Sequence, residues 1–224
     1  MAIDKTLVAA ILALALTLID LQGAAGDEEP CDAFMHGKVD ISKVESMRAA
    51  ARHGHLYRIQ PGTSRVGFCV NSEFAPVKAE FKDFEGGLTL WQHHPDKKEQ
   101  AMVLVKTASL DTNGSMIEYL LKSARFFDIQ KYPEILFVST EFTWTSDTTG
   151  ILKGNLTLHG VTRPVKFDVK LMTDPNEDKN HPGTVLVKAG TTIHRSDFGM
   201  DTLSRVVRDD VELCMSVEAV RYRK

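Results

Sequence analysis

The sequence predicts an all-β fold, an eight-stranded antiparallel barrel with a short helix in the barrel domain, and three observations lead to it. The first is GNLTLHGVTRPVKFDVKL, residues 154–171, where Leu156 and Leu158 alternate with Asn155, Thr157 and His159. Beyond Gly160, Val165, Phe167, Val169 and Leu171 alternate with Lys166, Asp168 and Lys170. Period-two alternation on both sides of a short turn makes a hairpin with one apolar and one wet face, with Pro164 best placed at the start of its second strand. The second observation is that such runs recur along the chain, separated by Gly, Pro, Asn and Asp. The third is that only Met116–Ser123 reads as helical within this array. Closing the array removes its exposed edges.

Residues 1–26 read as a signal peptide: Lys5 precedes an apolar run from Leu7 to Ile19, Asp20 ends it, and small residues follow at Gly23 to Gly26. That run falls short of the roughly 20 residues of a bilayer span, so no stable membrane span is expected, and the chain is expected to be periplasmic or secreted. An uncleaved amphipathic anchor is the alternative. Residues 27–55 form an N-terminal extension whose helix, Asp40–Arg52, places Val44, Met47 and Ala51 on one face. That helix could dock on the barrel, cover an opening or mediate a homodimer.

Residues 56–224 carry the barrel. Strands are predicted at Leu56–Ile59, Arg65–Asn71, Val77–Phe84, Met102–Ser109, Ile135–Trp144, Leu152–His159, Val165–Leu171, Val185–Ile193 and Val211–Tyr222. Turn chemistry separates them at Pro61-Gly62, Gly86-Gly87, His94-Pro95-Asp96, Asp147 to Gly150 and Asp174 to Gly183.

Charge excludes some partners. Without residues 1–26, which hold Lys5, Asp4 and Asp20, the formal charge moves from −3 to −2, leaving no electrostatic footprint for nucleic acid or an anionic membrane surface. The three cysteines are Cys31, Cys69 and Cys214. Cys69 and Cys214 fall on the wetter faces of an early and the last strand, which are neighbours in a closed barrel, so they either form a disulfide or stay as separate thiols.

No Gly-x-Ser-x-Gly elbow, His-Glu-x-x-His or Gly-rich phosphate loop occurs in the chain. His93-His94-Pro95-Asp96 lacks ligands at metal spacing, so no metal site is expected, and His159 and His194 read as surface residues. Phe126-Phe127 either covers the mouth of the barrel or plugs one end. Arg195-Ser196-Asp197-Phe198-Gly199 reads as a corner holding a barrel end, with a head-group role as its rival.

In order and spacing, several stretches resemble the YceI-like family of periplasmic, lipocalin-like polyisoprenoid-binding proteins. They are Val66-Gly67-Phe68 with Ala79-Glu80-Phe81, Ala108 to Thr112, Leu121-Lys122-Ser123 to Phe126-Phe127-Asp128, Tyr132-Pro133 to Thr140, Gly154 to Thr162, and Arg195 to Gly199. The resemblance runs from about Tyr57 to the C-terminus. It implies a lipocalin-like barrel enclosing an isoprenoid lipid, a polyprenyl lipid or isoprenoid quinone, without catalysis and with no required cofactor. It also implies a ligand-binding wall of Phe68, Val70, Phe81, Val105, Phe126, Phe127, Phe137, Leu158, Phe167, Val169 and Met215. Two departures concern the head group: Ser72 stands where many relatives have a histidine, and Glu118-Tyr119-Leu120-Leu121 replaces an Asp-x-His-Leu run. Asn71, Ser72, Thr107 and Ser109 are the polar candidates for the mouth. Two rival readings are an enzyme acting on a lipid or quinone in the same cavity, and a filled barrel serving as a protein-interaction module.

Overall fold

The computed structural model describes residues 34, 39–91, 96–172 and 183–223. The expected signal peptide, Cys31, the His93-His94-Pro95 run and most of the Asp174 to Gly183 loop lie outside the described residues. The elements are α1 (Ile41–Arg52), β1 (Leu56–Ile59), β2 (Arg65–Ser72), β3 (Val77–Phe81), β4 (Phe84–Thr89), β5 (Ala101–Lys106), β6 (Leu110–Thr112), α2 (Ser115–Lys122), β7 (Glu134–Trp144), β8 (Thr149–Leu158), β9 (Val161–Leu171), β10 (Thr184–His194) and β11 (Val207–Arg221).

Antiparallel pairing runs β1-β4-β5-β7-β8-β9-β10-β11 and returns from β11 to β1, which closes a ring of eight. The long β11 also pairs with β2 through Val207–Ser216, and β2 continues to β3 and β6. In sequence, β1 leads into β2, β3 into β4 and β5 into β6, so three staves of the barrel are each broken in two.

The first break was expected at Pro61-Gly62, whereas the other two differ from the sequence expectation of unbroken strands over Val77–Phe84 and Met102–Ser109. A 3-10 turn at Thr107–Ser109 ends β5, and the two breaks are stitched together: Lys82 N donates to the Ser109 carbonyl at 3.2 Å and Lys106 N to the Asp83 carbonyl at 3.0 Å. Gly86-Gly87, expected in a turn, lies inside β4. A Cβ on Gly86 would collide with the Met102 carbonyl oxygen, and one on Gly87 would stand 2.9 Å from that of Tyr57. Glycine here answers close strand approach instead of chain reversal.

The 154–171 hairpin forms, with pairing from Leu158↔Val161 out to Thr149↔Lys170. His159 and Gly160 have φ of 51° and 73°, the two positive angles of a two-residue type I′ turn. Pro164 sits within β9 opposite Asn155, not at its start. Alternation from the closing pair turns its nitrogen away from β8, towards an edge that β10 meets only at Asp168–Leu171, so the missing donor breaks no ladder bond.

Two apolar layers result. The inner one fills the barrel and includes Tyr57, Phe68, Phe81, Phe84, Phe137, Phe167 and Phe198. The outer one lies between α1 and the wall, where Val44 and Met47 pack with Leu56, Met102, Leu104 and Leu136. Asp40 caps α1 by accepting the Ser42 N–H at 2.9 Å. The helix therefore spends its apolar face on the outside of the wall, with Ala50 more deeply buried than the expected Ala51.

Candidate ligand cavity

Alternation aims Phe68 and Val70 (β2), Phe81 (β3), Val105 (β5), Phe137 (β7), Leu158 (β8), Phe167 (β9) and Met215 (β11) into a cavity of about 400 Å³. Phe126 and Phe127, on the connection after α2, are both buried and both line it. They can do so together because this connection is a series of turns, not a strand. The Phe127 ring lies 5.6 Å from Phe68 and 5.7 Å from Phe81, edge-on to the latter, which is the favoured aromatic geometry.

Val169 lines a second chamber of about 120 Å³ towards the other end, with Phe142, Trp144 and Val187. The chambers share Val103, Phe137, Phe167 and Met215. Phe137 and Phe167 meet edge to face there, with centroids 5.3 Å apart and planes at 86°. All eleven residues of the sequence-derived wall thus border one chamber or the other.

The larger chamber is rimmed by three separate pieces of chain: Ser72–Val77 between β2 and β3, Ile117 to Leu121 of α2, and Leu203–Val207 leading into β11. Sequence reasoning missed Phe74, Pro76, Leu203 and Val206 because none belongs to an alternating run.

Polar groups are few. Of the four hydroxyl and amide candidates Ser72 borders the larger chamber, but their side chains are committed elsewhere or exposed: Ser72 Oγ donates to the Ala75 carbonyl at 2.6 Å, Thr107 Oγ1 to that of Tyr132 at 2.9 Å and Ser109 Oγ to that of Lys106 at 2.7 Å, while Asn71 is exposed. Arg195 is the charged residue in the larger chamber's wall, only 4% exposed. Its guanidinium donates to the carbonyls of Arg208 (3.0 Å), Thr202 (2.8 Å), Val207 (3.0 Å) and Met200. This is the corner role read from the sequence, and the carbonyls take four of its five N–H groups.

The same corner is tied down by Asp209, which accepts from the Ser196 N–H at 2.9 Å and hydroxyl at 2.8 Å. Partial burial opposes its ionisation, but the Ser196 hydroxyl and N–H, with His194 and Arg195 nearby, outweigh that and hold its pKa below the ordinary value. His194 is exposed beside Asp209 and Asp210, whereas His159 sits in the hairpin turn with its Nδ1 3.2 Å from the Phe198 carbonyl. In the smaller chamber, Glu99 accepts from the Trp91 N–H, and Gln100 Oε1 is buried with no hydrogen-bond partner. Among the described residues, no three His, Cys, Asp or Glu side chains gather as a metal site requires.

Cys69 and Cys214 are free thiols on the outer face of β2 and β11. Cys69 lies opposite Glu212 and Cys214 opposite Gly67, so the sulfurs are diagonal, not direct, neighbours. Burial first, then Glu212, pushes the Cys214 pKa up. No described helix is long and apolar enough to cross a membrane.

A closed antiparallel barrel around an apolar chamber with a mouth defines a lipocalin-like protein. The model of the YceI-like domain matches residues 57–219, and the chain belongs to that family. A UPF0312 protein of Serratia proteamaculans is 38% identical over 143 residues, 64% of this chain and 73% of that protein. One from Pseudomonas putida is 36% identical over 149 residues, 66% and 75% of the respective chains. Among solved structures, BcnA of Burkholderia cenocepacia aligns with a TM-score of 0.64 at 20% identity, over 72% of this chain and 99% of its own. A polyisoprenoid binding domain from Saccharophagus degradans, implicated in plant cell wall breakdown, aligns at 0.55 and 12% identity, over 74% and 98%. These two likenesses concern the fold.

Proposed function

We propose that this protein binds an isoprenoid lipid, a polyprenyl lipid or isoprenoid quinone, and sequesters or carries it without chemical change in a periplasmic or extracellular compartment. The observation that carries this reading is the apolar chamber of about 400 Å³, with Arg195 as the one charged side chain among the described residues of its wall. The polyisoprenoid binding domain with the same fold supports the choice of ligand.

Such a chain would be held by area, at about 25 cal/mol per Å² removed from water, and not by direction. Selection would then act on length and width, since one methylene alters binding by only about 1–3 kcal/mol. An end group able to donate a hydrogen bond, such as a hydroxyl, suits Gln100 Oε1 in the smaller chamber. The enzyme rival needs a titratable side chain free to meet a substrate. Among the described residues, the larger chamber's wall offers Arg195, already committed to four carbonyls, and the smaller one's offers Glu99, which accepts from the Trp91 N–H.

The test is native mass spectrometry of protein purified without detergent, followed by solvent extraction. A stoichiometric prenyl lipid or quinone would support the carrier. A bare mass that stays bare after incubation with such lipids would overturn it in favour of a module that binds other proteins. Placing a charge at Phe167 or Val169 should abolish uptake in a folded variant, because an unpaired buried charge has no compensating partner there.

A further inference from the structure

We infer that the mouth of the larger chamber docks directly on a lipid bilayer. Eight large apolar side chains are exposed among the described residues, and five of them, Phe74, Met116, Ile117, Tyr119 and Leu203, lie on the three elements that supply the rim: the β2–β3 connection, α2 and the segment leading into β11. Phe74, Met116 and Tyr119 are 86%, 83% and 77% exposed, and it is their gathering around one opening, not exposure as such, that is informative. The other three, Ile41, Met172 and Val220, stand apart on α1, after β9 and on β11.

The arrangement has a direction. Phe74, Ile117 and Leu203 also line the chamber, so apolar surface is continuous from the outside tips to the interior. A prenyl chain leaving a bilayer under this rim would cross no water. Leu203 holds a φ of 58°, a left-handed conformation disfavoured for leucine, and its side chain remains on the rim nonetheless. Tyr119 combines an apolar ring with a polar tip, the side-chain type enriched where membrane meets water.

Charge does not explain the patch. Glu73, Asp201 and Glu118 are interspersed with Arg205, Arg208 and Lys122, and Glu118 and Lys122 bind each other at 2.7 Å. Docking would therefore run on buried apolar area and tolerate salt, unlike attraction to an anionic surface. The inference rests on the carrier reading only for its purpose, since the patch can be assayed without cargo.

The experiment compares the parent protein with a Met116→Glu, Tyr119→Glu variant prepared identically. Both positions are too exposed to support the core, and neither side chain lines the chamber. Three readings are taken: co-flotation with phosphatidylcholine vesicles free of isoprenoid at low and high salt, transfer rate of a fluorescent prenyl alcohol from those vesicles, and equilibrium binding of the same alcohol presented from cyclodextrin. The parent is expected to float at both salts. The variant should lose flotation and slow transfer by more than about tenfold, with unchanged binding from cyclodextrin.

A parent that does not float, a variant that floats equally, or a sedimentation profile in which the patch is buried in a dimer that the variant dissolves would each overturn the inference. A parent that floats but takes up no prenyl alcohol from either source would support docking while sinking the carrier reading.

Discussion

The ring of Phe137 lies directly on Gly154 of the neighbouring strand: a Cβ at 154 would stand 2.5 Å from its Cζ. Glycine thus lets the ring lie against the sheet, from where it meets Phe167 edge-on and separates the two chambers. Phe137→Leu should join them and admit longer chains, at a stability cost of about 1–3 kcal/mol from the void left above Gly154. The masses of lipids co-purifying with parent and variant test this, and an unchanged length distribution would refute the partition.

Arg195 should matter for folding more than for cargo. Lysine keeps the charge but cannot reproduce a planar fork reaching four carbonyls, so Arg195→Lys should lower stability by about 2–4 kcal/mol through unsatisfied buried acceptors. Chemical denaturation measures the loss. A variant as stable as the parent would mean that the corner is held by other contacts.

Asp209 gives the acid limb of stability a definite sign. Its folded pKa lies below the 3.8 ordinary for an aspartate, so its contribution is fully present above that pH and is lost as the pH falls through the folded value. Asp209→Asn should lower the Tm at neutral pH and narrow its gap to the parent as the medium is acidified below 3.8. Its carboxylate is 47% exposed, so solvent screens the effect and keeps it modest. A Tm difference that is constant with pH would show the aspartate to be a bystander.

The thiols on β2 and β11 should remain independent. Diagonal neighbours across a sheet stand about 7–8 Å apart, beyond the reach of an unstrained disulfide. Both should react with iodoacetamide in the folded protein, and Cys214, whose pKa is raised, should reach half-maximal rate at a higher pH than a free cysteine. Rates followed by peptide mass spectrometry decide it, and a Cys69–Cys214 peptide under non-reducing conditions would overturn the geometry.

Much of this was legible because alternation is local. Residues 154–171 specify their own hairpin, and each inward residue of β2, β7, β9 and β11 announces itself two positions from the next. Two of the three broken staves were not legible, since the breaks at Lys82-Asp83 and Thr107–Ser109 are stitched to each other by bonds between separate strands. Gly86-Gly87 misled because close strand approach and chain reversal call on the same residue type. The docking of α1 had a signal that alternation obscured: Ala101 to Val105 is apolar at every position, as suits a strand covered on both faces. The rim was legible only in part: its helix and Ser72 were read from the sequence, but the turns that carry Phe74 and Leu203 share no period with the strands.

The last strand decides when this molecule becomes a vessel at all. Because β11 serves β10, β1 and β2 at once, the ring closes over a separation of 164 residues, where Arg221 donates to the Tyr57 hydroxyl. Contacts that distant are slow to form even when their equilibrium cost is small. Until Val207–Arg221 arrives, three strands present bare edges to any other chain. Closure thus waits on β11, and a chain cut short before it would yield an aggregating sheet, not a leaky barrel.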